Sequence, residues 1–320
     1  MSEAIEVPLV VSEPRGHTRL VDFSVRLVRE KPLGTVGATI ILLLLVVGIF
    51  ADFLAPYEMA EPHIADRLAP PSGQYLLGTD HLGRDLLSRI FFGARISMIV
   101  GLLGTTLATL VSTIIGILSG YIGGKFDIVL QRLVDAIMCF PLLLLLIVII
   151  SFTGPGLAPS IIVIGIAFGI GGSRVIRSAV IAIKGNMYVN AAVVTGCSLP
   201  RVLIRHILPN VLAPIIVLYT TRMATVILVE ASLSFLGYGI PPPTPSWGGM
   251  LSGYGREYML EAPWMALWPG LALSIVVYGV NMFGDAVRDL LDPRLRGGLG
   301  RYGKAKVRKR SRKESPNNAI

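Results

Sequence analysis

The chain has 320 residues, 53% of them hydrophobic and only 15% charged, with a mean hydropathy of +0.68. A soluble domain carries about 25% charged residues, so this balance excludes an ordinary water-soluble fold and indicates an integral membrane protein with polar ends. The net charge of +9 is concentrated between Arg294 and Lys313, and beside long apolar runs it reads as positive-inside topology rather than nucleic-acid binding.

Residues 1–34 read as a cytoplasmic arm carrying Arg15, Arg19, Arg26, Arg29 and Lys31, with a short amphipathic helix at 21–28 on the membrane surface. The first apolar run, 35–54, has the ~20 residues a bilayer core needs and is predicted as the first span; it lies too far in, and is too long, for a cleaved signal peptide. Asp52 lies at its outer end, and Ala55-Pro56 ends it. Residues 57–95 are polar, and Thr79 or Asp80 is expected to cap an interfacial helix over 80–95 with Arg84, Arg89 and Arg95 among Leu86, Leu87, Ile90 and Phe91. The second span, 96–122, is rich in small residues (Gly101, Gly104, Ser112, Gly116, Gly120) that allow close helix contact in lipid.

A short cytoplasmic loop is expected at 123–135 and a third span at 136–152, with Pro141 near its start. The fourth span, 160–183, has an apolar run too short to cross unless the helix continues through Arg174 and Arg177 with their side chains snorkelling to the inner surface. The fifth, 211–229, contains Arg222 and has Glu230 at its outer end. Residues 230–251 read as an outer loop with extended backbone at Pro241, Pro242, Pro243 and Pro245, and with Trp247 as an interface anchor. The sixth span, 264–283, is flanked by Trp264 and Trp268, and a basic cytoplasmic tail follows at 298–320. The membrane region as a whole is 35–297, and both termini are expected on the cytoplasmic side of the cell membrane.

Between the fourth and fifth spans, YVNAAVVTGCSLPRVLIRHILP (188–209) reads as helix, break, helix. A short helix at 190–194 is broken by Gly196 and Ser198, and Pro200 suits the first turn of the next. Arg201, Arg205 and His206 put positive charge beside the membrane, as an ordinary cytoplasmic loop would also do.

Catalytic chemistry is not suggested. His17, His63, His81 and His206 are scattered through polar segments, which argues against a metal cluster, and no phosphate-binding G-x-x-x-x-G-K-[ST] loop is present. Cys139 and Cys197, both placed on or near the cytoplasmic side, imply no disulfide framework. Ionisable residues in spans are functional candidates by default, so Arg222 and Glu230, together with the nearby polar Ser232, are the candidates for the substrate path. Arg222 reads equally as a salt-bridged or snorkelling residue, and Glu230 as structural or gating.

Ala191-Ala192, Gly196 and Leu208-Pro209 resemble the Glu-Ala-Ala loop of ABC importer permease subunits. Gly78-Thr79-Asp80, Gly83-Arg84-Asp85, Ser88-Arg89 and Gly93-Ala94-Arg95, together with residues 230–251, resemble the second permease subunit of dipeptide, oligopeptide and nickel importers. The resemblance covers residues 32–297 and implies an all-α membrane protein of six transmembrane helices with the type I (MetI-like) permease fold. It further implies that Asn190, Ala191, Ala192, Gly196, Leu199, Pro200, His206, Leu208 and Pro209 couple the permease to an ATPase. Asn190 stands where the family usually has Glu, which removes any ion pair that Glu makes.

The implied partners are a homologous permease subunit, two ABC ATPase subunits, an extracytoplasmic solute-binding protein and the bilayer, with no nucleic acid. The chain itself would bind no cofactor, and ATP and Mg would sit on the ATPases. The rival class is an ion-coupled secondary transporter or channel, and the cargo (peptide, nickel chelate or sugar) is not specified by the residues.

Overall fold

The computed structural model describes residues 19–291; the basic tail and the Asp292–Gly297 motif lie outside the described residues. In chain order the helices are α1 (Arg19–Glu30), α2 (Pro32–Ile49), α3 (Ala51–Leu54), α4 (Leu86–Ile122), α5 (Gly124–Met138), α6 (Leu142–Thr153) and α7 (Leu157–Lys184). They continue as α8 (Met187–Val194), α9 (Leu199–Val202), α10 (Leu212–Phe235), α11 (Trp247–Leu251), α12 (Tyr254–Glu257) and α13 (Trp264–Leu291). The described residues form no strand. Helices α2, α4, α7, α10 and α13 are long and apolar enough to cross a membrane, and α5 with α6 make a sixth candidate as one broken span. The 187–210 connection is termed the loop end, and segments 55–85 and 237–263 the cap.

Three expectations about elements are corrected. Residues 80–95 and 96–122 do not form an interfacial helix followed by a span; they contribute to one 37-residue helix capped by Asp85, whose carboxylate accepts from Ser88 N at 2.8 Å. Asp80 is committed elsewhere, to Leu82 N, Arg84 N and Arg84 Nε, and Thr79 Oγ1 donates to Asp66 O at 2.5 Å. Residues 123–135 are helix α5 rather than a loop, and α5 meets α6 at an 88° bend. Pro141 causes the bend, since its ring disfavours helical backbone at Phe140 and it has no N–H to continue the ladder. α6 has only 12 residues, about 18 Å, so it does not span a ~30 Å core alone. Finally, α10 runs to Phe235, so Glu230 lies inside a helix and not in a loop.

The closest packing is between α4 and α7, where glycines let the backbones meet. A Cβ at Gly116 would lie 2.7 Å from Ser173 O and Ile176 Cβ, and one at Gly120 would lie 2.9 Å from Arg177 O and Val180 Cβ. On the other helix, Gly165 and Gly169 receive Leu107 and Val111, and Ser112 Oγ donates to Gly169 O at 2.8 Å. Lipid offers no hydrophobic drive between helices, so dispersion contacts and interhelical hydrogen bonds carry this association. The same device joins α2 to α13, where Gly279 lies under Ile40 and Gly37 faces Phe283 N.

Arg174 is exposed and Arg177 half-buried, and both end on carboxylates of α5. Arg177 forms a fork with Asp127 of α5 at 2.6 and 2.5 Å, Asp127 also accepts from Ser119 Oγ, and Arg174 pairs with Asp135. The amphipathic α5 is thus tied to α4 and α7 by charge. Trp247, expected at an interface, is 2% exposed; its Nε1 donates to Ile90 O at 3.2 Å, and its ring sits against Gly93. It stands at the start of α11, behind Ser246 as N-cap, and packs with Leu44, Ala94, Met223, Ile227 and Val280.

Substituting Gly116→Val is expected to lower thermal stability in detergent by about 1–3 kcal/mol through overpacking, whereas Gly73→Ala, at a site with no atom within 4 Å, leaves it unchanged. Equal melting of the two variants by circular dichroism would refute close α4–α7 packing.

Candidate functional site

The loop end is built as a small amphipathic cradle. Gly185 closes α7, and Asn190 Nδ2 donates to Gly185 O at 3.3 Å. A carboxylate at position 190 cannot make this bond, so the asparagine substitutes a local hydrogen bond for charge. α8 ends in a Schellman-type arrangement: Gly196 adopts φ +81°, its N–H donates to Val193 O, and Cys197 N–H donates to Ala192 O, each at 3.0 Å. Thr195 Oγ1 covers the Ala191 and Ala192 carbonyls at 3.0 Å. The chain then turns through α9, with Pro200 in its first turn, a wide π turn at Leu203–Ile207 and a tight turn at Leu208–Asn210. Asn210 Nδ2 donates to His206 O at 2.7 Å.

The two faces of this cradle differ. Val189, Val202, Ile207 and Val211 are buried with Ile117 of α4, Ile176 and Val180 of α7 and Leu218 of α10. Ala192 is also buried, so of the paired alanines only Ala191 faces outward. The outward face is an apolar crest: Met187 is 88% and Val194 87% exposed, with Val193 and Leu199 about half exposed. Asn190, Gly196, Pro200 and Pro209 are exposed, while His206 and Leu208 are partly covered.

The three candidates for the substrate path do not converge. Arg222 sits midway along α10, half-buried, with Cζ 5.2 Å from the Phe168 ring centroid. It makes no ion pair among the described residues, and it lines a cavity of about 160 Å³ with Met138, Phe140 and Leu142 at the α5–α6 bend. Glu230 is 1% exposed; Ser234 Oγ donates to its Oε1 at 2.6 Å and accepts from Ile240 N at 3.2 Å. It therefore ties the end of α10 to the returning cap segment. Ser232 Oγ donates back to Leu228 O at 2.8 Å within its own helix.

A charge cluster in the cap was not anticipated as a unit. Arg84 and Arg89 both pair with Asp80, at 2.7 and 3.6 Å, and all three side chains are under 10% exposed. Arg89 Nη1 also donates to Met59 O at 3.0 Å. The sequence signal was present, because arginines lie at these positions with an aspartate within helical reach, but an amphipathic helix reads the same way. Nearby, burial and then the hydrogen bond to Asp66 push the Tyr75 phenol up to about 12.

Residues 112–297 match the family described as "Binding-protein-dependent transport system inner membrane component", and residues 23–71 match "N-terminal TM domain of oligopeptide transport permease C". The chain belongs to this family of ABC importer permeases. It is 40% identical over 272 residues to the "Dipeptide transport system permease protein DppC" of Alkalihalophilus pseudofirmus, covering 84% of this chain and 88% of that one. It is 37% identical over 268 residues to the "Oligopeptide transport system permease protein OppC" of Bacillus subtilis, again covering 84% and 88%. A solved structure, "Inward facing conformations of the MetNI methionine ABC transporter", is similar with TM-score 0.53 and 16% identity, covering 64% of this chain and 96% of that chain. At that identity the likeness concerns the fold, and it agrees with the type I permease architecture expected from the residues.

Gly196 and Gly185 both have open space around them, and only Gly196 has positive φ. Gly196→Ala is therefore expected to destabilise the loop by about 1–2 kcal/mol, the cost of left-handed backbone, and Gly185→Ala to be near neutral. Amide exchange of residues 187–198 reads this directly; equal protection in the two variants would exclude the left-handed exit.

Proposed function

We propose that this permease subunit forms half of the path of an ATP-driven importer for peptides, and that the α8 crest is its contact with a separate ATPase subunit. The observation that carries the coupling role is the two-faced cradle: Met187, Ala191 and Val194 stand outward while Val189 and Ala192 are buried behind them. Exposed apolar side chains on a short, well-terminated helix suit a groove on a partner, and Val189 shares a packed cluster with residues of α4, α7 and α10. A push on α8 would thus reach three long helices through one core. Lys184, Arg201 and Arg205 around it favour a cytoplasmic location for the loop end, with the cap outside.

A homologous permease subunit, two ATPases and an extracytoplasmic binding protein complete this reading. Peptide cargo follows from the names of the similar dipeptide and oligopeptide permeases, which favour it over nickel chelates. Family membership also favours this reading over an ion-coupled secondary transporter. Arg222, a mid-helix guanidinium with no carboxylate partner among the described residues, is the side chain proposed to meet a peptide carboxylate during passage.

Two experiments test these assignments. Ala191→Arg and Val194→Asp change only exposed positions, so each should leave permease stability within about 0.5 kcal/mol while cutting coupled transport roughly tenfold or more. Substrate-stimulated ATP hydrolysis and ATPase co-purification would be measured in reconstituted complexes, and wild-type values in both variants would reject the contact. Separately, Arg222→Gln is expected to reduce peptide uptake with subunit assembly intact, and unchanged uptake would remove Arg222 from the path.

A further inference from the structure

The cap holds a cavity of about 260 Å³ that the coupling and pathway assignments leave unused. It is lined by Asp80, His81, Arg84 and Arg89 from one segment and by Gly249, Ser252, Tyr254 and Gly255, among others, from the segment after α10. Its charge does not balance. Two guanidiniums share the single carboxylate of Asp80, and both arginine side chains are more than nine-tenths buried. Asp85, the next acid in the chain, is occupied at the start of α4 by Ser88 N and Ser88 Oγ and does not line the cavity.

The donors are equally out of balance. Arg84 uses Nε on Asp80, and neither of its Nη nitrogens has a hydrogen bond among the described residues. Arg89 uses Nη1 on Met59 O and leaves Nη2 without one. His81 stacks on Tyr254 at 3.9 Å, and its Nδ1 is buried with no partner among the described residues. Burial pushes the His81 imidazole down, so the excess positive charge belongs to the arginines. A buried guanidinium pair with uncommitted N–H groups lining a concave site is matched by a planar anion that accepts two hydrogen bonds.

We propose that this cavity is a carboxylate-binding site. The two guanidiniums and the cavity of about 260 Å³ suit a carboxylate on a small group. The site follows from the cap geometry alone. Its carboxylate has two possible sources, a free peptide terminus or an acidic side chain of the binding protein, and naming these rests on the import reading above.

The test uses the full chain in lipid nanodiscs and a matched probe pair, N-acetylglycine and N-acetylglycinamide, followed by titration calorimetry. The acid is expected to bind and the amide not to. Arg84→Gln should weaken the acid roughly tenfold or more, as expected for loss of a charge-assisted hydrogen bond. Because Arg84→Gln also leaves Asp80 less well paired, a second variant is needed. Ser252→Asp gives up the Ser252 Oγ–Gly249 O bond but adds a carboxylate to the cavity lining with the Asp80–Arg84–Arg89 cluster intact; it should lower the melting temperature less than Arg84→Gln does and still abolish acid binding.

Equal binding of acid and amide, no binding of either, or wild-type affinity in Ser252→Asp would each overturn the site. In reconstituted transporters, a peptide source predicts that Ser252→Asp narrows the uptake preference for a dipeptide over its C-terminal amide. A protein source predicts weaker docking of the binding protein with that preference unchanged. If neither changes, the cavity serves neither source and its assignment to import falls. Failure of the import reading itself would appear separately, as absent ATP-driven uptake in the wild type while the calorimetric result stands.

Discussion

The close approach of α4 and α7 is the constraint on which the rest of the structure depends. Gly116 and Gly120 on one helix and Gly165, Gly169 and Gly172 on the other leave no room for a Cβ without displacing a neighbour. In lipid this contact is made by dispersion and by polar bonds such as Ser112 Oγ to Gly169 O, because apolar side chains gain nothing by leaving one apolar medium for another. Once the two helices are side by side, Ile117, Ile176 and Val180 form the floor on which α8 rests. The position of the α8 crest is therefore a consequence of glycine placement some distance along the chain.

Polar links then hold elements that packing alone does not. α5 buries little, yet Asp127 and Asp135 fasten it to Arg177 and Arg174 of α7, and Ser119 joins α4 to the same aspartate. Toward the cap, Arg95 reaches Gly48 O at 2.8 Å and Asp52 at 2.6 Å, which ties α4 to the end of α2 and to α3. Partly buried ion pairs add little net stability after desolvation, so their contribution is better described as fixing one arrangement among several that the apolar surfaces would tolerate. The Asp80–Arg84–Arg89 cluster differs in kind, because its charges do not cancel.

The loop end has an exposed surface on a packed base. The α8 crest is exposed and apolar, while its underside belongs to the same cluster as three long helices. That cluster joins residues of α4, α7 and α10 to the underside of α8 in one packed core. Glu230, linked through Ser234 to Ile240 N, extends α10 into the cap by the same logic, since the helix end and the returning segment share one buried hydroxyl.

Much of this was legible in the residues. Apolar runs of bilayer length marked α2, α10 and α13, because hydropathy over about 20 residues is decided by solvent and not by neighbours. Gly196 and Pro200 announced the break after α8 for a local reason: only glycine takes φ +81° without strain, and proline suits a first turn. What depended on distant partners was not legible. Trp247 carries the signature of an interface residue and becomes core because Gly93 and Ile90 O, more than 150 positions away, receive it. Asp127 and Asp135 look like loop acids until Arg177 and Arg174 meet them, and Ala191 and Ala192 are identical in sequence until the bundle covers one of them. The sequence by itself determined most of the runs that enter lipid and the break at Gly196, since those depend on local composition and backbone sterics. Only the tertiary structure decided which polar groups pair and which small residues face a partner, since those depend on side chains brought together from far along the chain.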